Sequence, residues 1–413
     1  MSAPVSQIRP HPGQGRAPNR LRVLLIALEY PIWVTARHQS YPSFLGLEEG
    51  LRANGVDCHT VTTEWLRWIP DLFRGVQFDQ VWLDLFHSPA NAGEETLERL
   101  ADLAPVRLGL IAESLGDDSE DYTRSPAVLH MARKRDQVAR WLKYVTHVAV
   151  VDEKDVAAVC ARGASSAVWW PQAVPRRFVC DNAPPPLTDR AVFCGALGYG
   201  SRANWLDYRE LDEVLLHQRS PETGTAYPAL FDALHATTRA LIREGRPGDR
   251  GIRAVCATAF HPLRRPVVMR AAVPLYMEAL RRLRLPCFAQ WLRQMQVGIA
   301  VVNLPSYLRA YSGRVTEGMA AGRPMISWDV PDRPQNRSLF EDGRDLLLFS
   351  RDDPAQLAAH IRRLQKDPEL AMEIASNARR QLLHSHTVER RVAQLLRWIR
   401  AGELPEYARP ATQ

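Results

Sequence analysis

From Leu21 onward, short apolar runs alternate with longer stretches whose apolar residues recur every three or four positions. Leu21-Arg-Val-Leu-Leu-Ile-Ala-Leu28 is apolar apart from Arg22, the pattern of a strand covered on both faces. An amphipathic stretch from Tyr41 to Asn54 follows, Gly55 ends it, and Val56–Val61 returns to strand character, so the series opens with a βαβ unit. The alternation continues through strands over Phe78–Phe86, Val106–Ala112, His147–Val151 and Ala167–Trp169. Helices over Glu94–Leu103, Ala127–Lys143 and Val156–Arg162 separate them. Strands and helices in that rhythm imply a parallel sheet with helices on both faces.

Asp181-Asn-Ala-Pro-Pro-Pro186 breaks the rhythm. Consecutive prolines lack N–H donors and fix φ, so neither a helix nor a central strand holds them, and the segment reads as a linker. A second series follows: a strand over Ala191–Leu197, helical stretches over Asn204–Leu216 and Tyr227–Glu244, and a strand over Ile252–Thr258. An arginine-rich helical segment from Pro266 to Leu283 comes next, then a strand over Gly298–Asn303 and a helix within Ser312–Trp328. Asp353-Pro354 and Asp367-Pro368 each place an acidic N-cap before a proline suited to the first helical turn. A last helix covers Thr387–Ala401. The expected organisation is a tail at 1–20, a first domain at 21–183, a second at 187–385, and a terminal helix and tail at 386–413. The fold class is α/β, with two doubly wound Rossmann-like domains.

Composition narrows the partners. The 413 residues hold 53 basic and 46 acidic side chains, and four of the basic ones are lysines: Lys134, Lys143, Lys154 and Lys366. So diffuse an excess is not the clustered basic face of a nucleic-acid binder, and any anion clamp must be built from Arg forks. The six cysteines form no C-x-x-C pair and no zinc spacing. No early apolar run is long enough to cross a bilayer, which predicts a cytoplasmic protein without an integral membrane segment.

Two stretches carry the chemistry. In Gly195-Ala-Leu-Gly-Tyr-Gly-Ser-Arg-Ala203, the residues Gly198, Gly200 and Ala203 fit the dinucleotide pattern. The acid that pattern requires would be Glu222, in a Pro/Gly/Thr turn with no strand predicted before it, so a tight turn or a loop approaching a phosphate competes with the NAD(P) oxidoreductase reading. In Tyr311-Ser-Gly-Arg-Val-Thr-Glu-Gly-Met-Ala-Ala-Gly322, Gly313 permits a sharp turn and the following helix points N–H groups at its N-terminus, where a diphosphate fits. Arg314 adds a guanidinium. Glu317 stands where a carboxylate can take two ribose hydroxyls or, on the simpler alternative, complement the helix dipole.

Arg314-Val-Thr-Glu-Gly-Met-Ala-Ala-Gly-Arg-Pro-Met-Ile-Ser327, with Leu339-Phe-Glu-Asp-Gly-Arg-Asp-Leu-Leu-Leu-Phe349, resembles the donor half of group 1 glycosyltransferases of the GT-B fold, closest to the spore-coat maturation branch. Val192–Arg202 is similar to the opening strand and loop of that half, and Trp170–Pro175 to the end of the acceptor half. The resemblance implies a UDP- or GDP-sugar bound in a cleft between the domains, with no metal or other cofactor required. It places Glu317 on the donor ribose, Ser312, Gly313 and Arg314 on the diphosphate, and Gly195, Gly198 and Arg202 on the facing loop. Eight positions before Glu317, where many group 1 members carry a second Glu, stands Arg309, which together with Arg202 and Arg314 is expected to face the donor diphosphate. That departure, and the absence of lysine between Lys154 and Lys366, keep open a GT-B-like binding or assembly protein without turnover.

The acceptor, whether glycan, small molecule or protein, is expected at the strand ends of the first half, which carry Glu29, Asp84, His87, Glu113 and Asp152. Of these, His87 and Glu113 are the candidate catalytic bases. His261 is a candidate for the edge of the nucleotide base. Asp117-Asp118 reads as a solvated turn, His384 and His386 as surface residues, and the arginines of 264–284 as a solvated helix face.

Overall fold

The computed structural model describes residues 20–27, 45–86, 93–115, 135–195, 197, 202–218, 273–274, 277, 281, 285, 288–289 and 291–407. In the first half, the apolar runs form β1 (Arg22–Ala27), β2 (Asp57–Thr62), β3 (Gln80–Asp84), β4 (Val106–Ile111), β5 (His147–Val150) and β6 (Ala167–Trp169). Helices α1 (Leu45–Ala53), α2 (Ile69–Leu72), α3 (Glu94–Leu100) and α4 (Asp155–Ala161) lie between them. The strands are ordered β2-β1-β3-β4-β5-β6, and every pair is parallel. Residues such as Leu24, Trp82, Leu108 and Val150 are fully buried, which is why these runs carry no polar face. Each such side chain contributes roughly 1.5–3 kcal/mol on leaving water.

Residues 181–190 hold no regular element, but they are tied to the second half: Leu187 N donates to Val297 O at 2.8 Å, and Arg323 Nη2 to Pro184 O at 2.6 Å. The second sheet comprises β7 (Ala191–Cys194), β8 (Leu215–Gln218), β9 (Val301–Asn303), β10 (Met325–Trp328) and β11 (Leu347–Phe349), parallel in the order β11-β10-β9-β7-β8. Its helices are α5 (Arg202–Trp205), α6 (Gly313–Ala320), α7 (Pro334–Arg337), α8 (Pro354–Lys366) and α9 (Pro368–Ser385), followed by α10 (Val388–Ala401).

The predicted helix over Asn204–Leu216 is corrected. After α5 the chain forms β8, whose residues pair in parallel with β7 from Ala191↔Leu215 to Cys194↔Gln218. Sheet pairing satisfies these backbone groups and overrides a helix-like apolar spacing. A strand therefore does stand before Glu222, although Glu222 itself, like residues 227–244, 252–258 and most of 264–284, lies outside the described residues.

The two Asp-Pro caps form as expected: Gln356 N donates to Asp353 Oδ1 at 2.8 Å and Leu370 N to Asp367 Oδ1 at 2.9 Å, each worth about 1 kcal/mol. Helix α10 returns to the first half. It packs on α1, Val388 N donates to Val174 O at 3.0 Å, and Tyr407 Oη donates to Trp169 O at 2.8 Å. His384 is exposed, as expected, but His386 is fully buried between α9 and α10 against Arg391 and Gln381, a correction to its surface reading. Burial and the Arg391 charge hold its pKa well below the usual histidine value.

Candidate active site

The carboxyl ends of β7, β9 and β10 converge on the start of α6. Ser312 is the N-cap of α6 in extended conformation, with φ −65° and ψ 163°, and its hydroxyl does not cap the helix. Instead, Ser312 Oγ donates to Asn303 Oδ1 at 3.0 Å, and Arg314 Nη1 donates to the same oxygen at 3.1 Å. Asn303 Nδ2 donates to Ser327 Oγ at 3.0 Å, and both residues are buried. The Asn303 amide is thus the hub that orients Ser312 and Arg314. Its signal in the sequence is a lone polar side chain closing the apolar run Gly298–Asn303.

Arg314 Nε also donates to the Cys194 carbonyl, and its guanidinium carbon lies 4.8 Å from the centre of the Phe193 ring. A Cβ on Gly195 would stand 2.2 Å from Arg314 Nη2, so a side chain there would displace the guanidinium. Arg202, buried, faces the same ring at 5.8 Å. The structure thereby brings together Gly195, Arg202, Ser312, Gly313 and Arg314. Burial pushes the Cys194 thiol up to about 12, which keeps it in the protonated form.

Glu317 is buried one turn into α6, and Trp291 Nε1 donates to its Oε2 at 2.8 Å. The indole partner lies 26 positions away in sequence, and no motif announces it. Gly318 allows α6 to lie on the sheet, since a Cβ there would be 2.2 Å from Met325 Sδ. Arg309 stands before α6 with its guanidinium carbon 5.9 Å from the Trp328 ring. Its buried Nε has no hydrogen-bond partner among the described residues.

On the facing sheet, Asp84 is buried at the end of β3 and Glu113 is half-buried after β4. Asp152 is engaged by Arg333 in a buried ion pair. Gly198, His87, His261, Glu29 and Asp117-Asp118 lie outside the described residues.

Residues 278–397 match the family described as glycosyl transferase-like. Among solved structures, the sucrose-phosphate synthase of Thermosynechococcus elongatus is similar with a TM-score of 0.51 and 16% identity, over 93% of this chain and 100% of that one. A glycosyltransferase from Rickettsia africae is similar with a TM-score of 0.50 and 9% identity, over 93% and 100%. No curated protein matches. Two parallel α/β sheets with α10 returning to the first, together with these structural likenesses, define the two-domain α/β fold that glycosyltransferases of the GT-B type share, and the glycosyl transferase-like match lies within its second half. Among the described residues, no helix is long and apolar enough to cross a membrane.

Proposed function

We infer that this chain transfers a sugar from a nucleoside diphosphate donor, UDP- or GDP-linked, to an acceptor hydroxyl, with residues 187–385 holding the donor and 21–183 the acceptor. The observation that carries the reading is the fixed Arg314 guanidinium at the first turn of α6, held by Asn303 and the Cys194 carbonyl beside a glycine too close to accept a side chain. A helix N-terminus and a preorganised guanidinium suit a diphosphate whose charge grows as it departs, the task a metal performs elsewhere. In this reading, Ser312, Gly313, Arg314 and Arg202 meet the diphosphate with Gly195 and Gly198, Glu317 takes the ribose hydroxyls, and His261 edges the base. The bond from the anomeric carbon to the diphosphate oxygen breaks, the bond to the acceptor oxygen forms, and His87 or Glu113 accepts the acceptor proton.

Titration calorimetry with UDP and GDP tests the site. Arg314→Ala should weaken the preferred nucleotide by about 1.5–3 kcal/mol, roughly 10- to 150-fold, with the unfolding midpoint held. Glu317→Gln should weaken nucleosides bearing a ribose diol more than their deoxy analogues. A wild-type chain that binds neither nucleotide would overturn the reading. The guanidinium of Arg309, packed toward Trp328 where a Glu is common, favours a second reading as a donor-binding protein without turnover; slow hydrolysis of the bound donor would exclude it.

A further inference from the structure

The carboxyl edges of the two sheets meet through a polar seam. Ser114, after β4, donates through Oγ to Asp152 Oδ2 at 2.8 Å, and the same Oγ accepts from the backbone N–H of Arg309 at 3.0 Å. Asp152, after β5, receives both prongs of Arg333, Nε to Oδ1 at 2.5 Å and Nη2 to Oδ2 at 3.0 Å, with both side chains about 1% exposed. Next in the chain, Glu153 accepts the amides of Gln335 at 3.2 Å and Asn336 at 2.6 Å, at the start of α7. Asn336 Oδ1 in turn accepts from the amide of Tyr311 at 2.9 Å.

The first half therefore holds two amides of the loop that leads into α6. It holds Arg309 directly through Ser114, and Tyr311 through Asn336 and Glu153. The residues that follow are Ser312, Gly313 and Arg314. Burying charges at this seam carries a desolvation cost that plain apolar adhesion would avoid, so the seam gains directionality rather than strength. Burial also raises the Glu153 carboxyl, against the lowering effect of the two amides it accepts.

We propose that Ser114, Asp152 and Glu153 are positioning residues: they hold the 309–312 loop in register, so that the anion site at α6 is fully ordered only when the two halves are closed on each other. The inference rests on the reading of that site as the donor diphosphate site. Linkage then requires the converse, that a nucleoside diphosphate bound at α6 favours the closed arrangement.

The test uses the full chain and the variants Ser114→Ala, Glu153→Gln and Asp152→Asn. Backbone hydrogen exchange should accelerate at the Arg309 and Tyr311 amides while β7, β9 and β10 keep their protection. UDP or GDP affinity should fall by about 5- to 150-fold. Small-angle scattering should show a larger radius of gyration than wild type, partly reversed by saturating nucleotide. Ser114→Ala removes one hydroxyl and keeps the question answerable if Asp152→Asn fails to fold. Unchanged exchange at Arg309 and Tyr311 overturns the proposal, as does faster exchange with unchanged nucleotide affinity. If the wild-type chain binds no nucleoside diphosphate, the donor reading and its coupling to closure fall together. If it binds one that the variants bind equally well, the coupling alone falls.

Discussion

Arg314 and Arg333 leave the carboxyl edge of the same sheet, yet they do opposite work. Arg333 is buried and engages a carboxylate of the other half, Asp152. Arg314 is half-buried, is oriented by a carbonyl and an amide, and stacks on Phe193 at the mouth of α6. Across from them, the first sheet ends in acids: Asp84, Glu113, Asp152 and Glu153. An acidic edge facing a basic one draws the halves together: Arg333 pairs with a carboxylate of the other half, whereas Arg314 is held by groups of its own half. Removing Arg333 should therefore damage the fold, and disturbing Arg314 should damage binding.

The sharpest break is Arg333→Met. It leaves the Asp152 carboxylate buried without its guanidinium, and such losses cost about 3–5 kcal/mol. Denaturant unfolding should show that loss, and adding Asp152→Leu in the same chain should recover much of it, because the pair is then replaced by apolar contact. A smaller effect of opposite character follows from Gly195→Ala. The new methyl would lie 2.2 Å from Arg314 Nη2, and Gly195 has φ +158°, a conformation in which a side chain is strained. The guanidinium must leave its place, so nucleotide affinity should drop about tenfold, or ~1.4 kcal/mol, with a loss of stability smaller than that of Arg333→Met. Equal binding by wild type and Gly195→Ala would mean that Arg314 is a structural pair after all, and the contrast with Arg333 would collapse.

The same contrast explains what could be read from the chain before its structure. Punctuation by glycine, proline and aspartate is local chemistry, so the Asp353 and Asp367 caps, the irregular Asp181–Pro186 segment and the α6 turn were legible in the residues themselves. The strands of the first sheet were legible because burial on both faces leaves an unbroken apolar run. Partners distant in sequence were not. Asp152 could be placed at a strand end, but nothing in its surroundings names Arg333, 181 positions on. Glu317 could be placed on α6, but not beneath the Trp291 indole. β8 was missed because Leu215–Gln218 is four residues long and its apolar neighbours Trp205, Leu211 and Val214 mimic a helix face. His386 was missed because its burial depends on how α9 and α10 close around it.

The smallest expected effect lies on the same seam as the largest. Lys154 Nζ reaches Asp332 Oδ2 at 3.0 Å with side chains 48% and 39% exposed, and Asp332 also meets Arg333. Solvent screens such a pair, so Lys154→Ala should cost about 0.2–1 kcal/mol and less in high salt. The loss from Arg333→Met should hardly change with salt. Burial alone pushes the Asp332 carboxyl up, but the Lys154 hydrogen bond and the charges of Arg333 and Arg309 outweigh it and hold the group below its ordinary value of 3.8. Its contribution is therefore present above that value and is lost as pH falls through the lower, folded one. Lys154→Ala should flatten that acid limb of the stability curve without touching the plateau near neutrality by more than the pair is worth. A salt-insensitive loss at Lys154 as large as that at Arg333 would show that the seam acts as one buried network rather than as a buried pair with a solvated fringe.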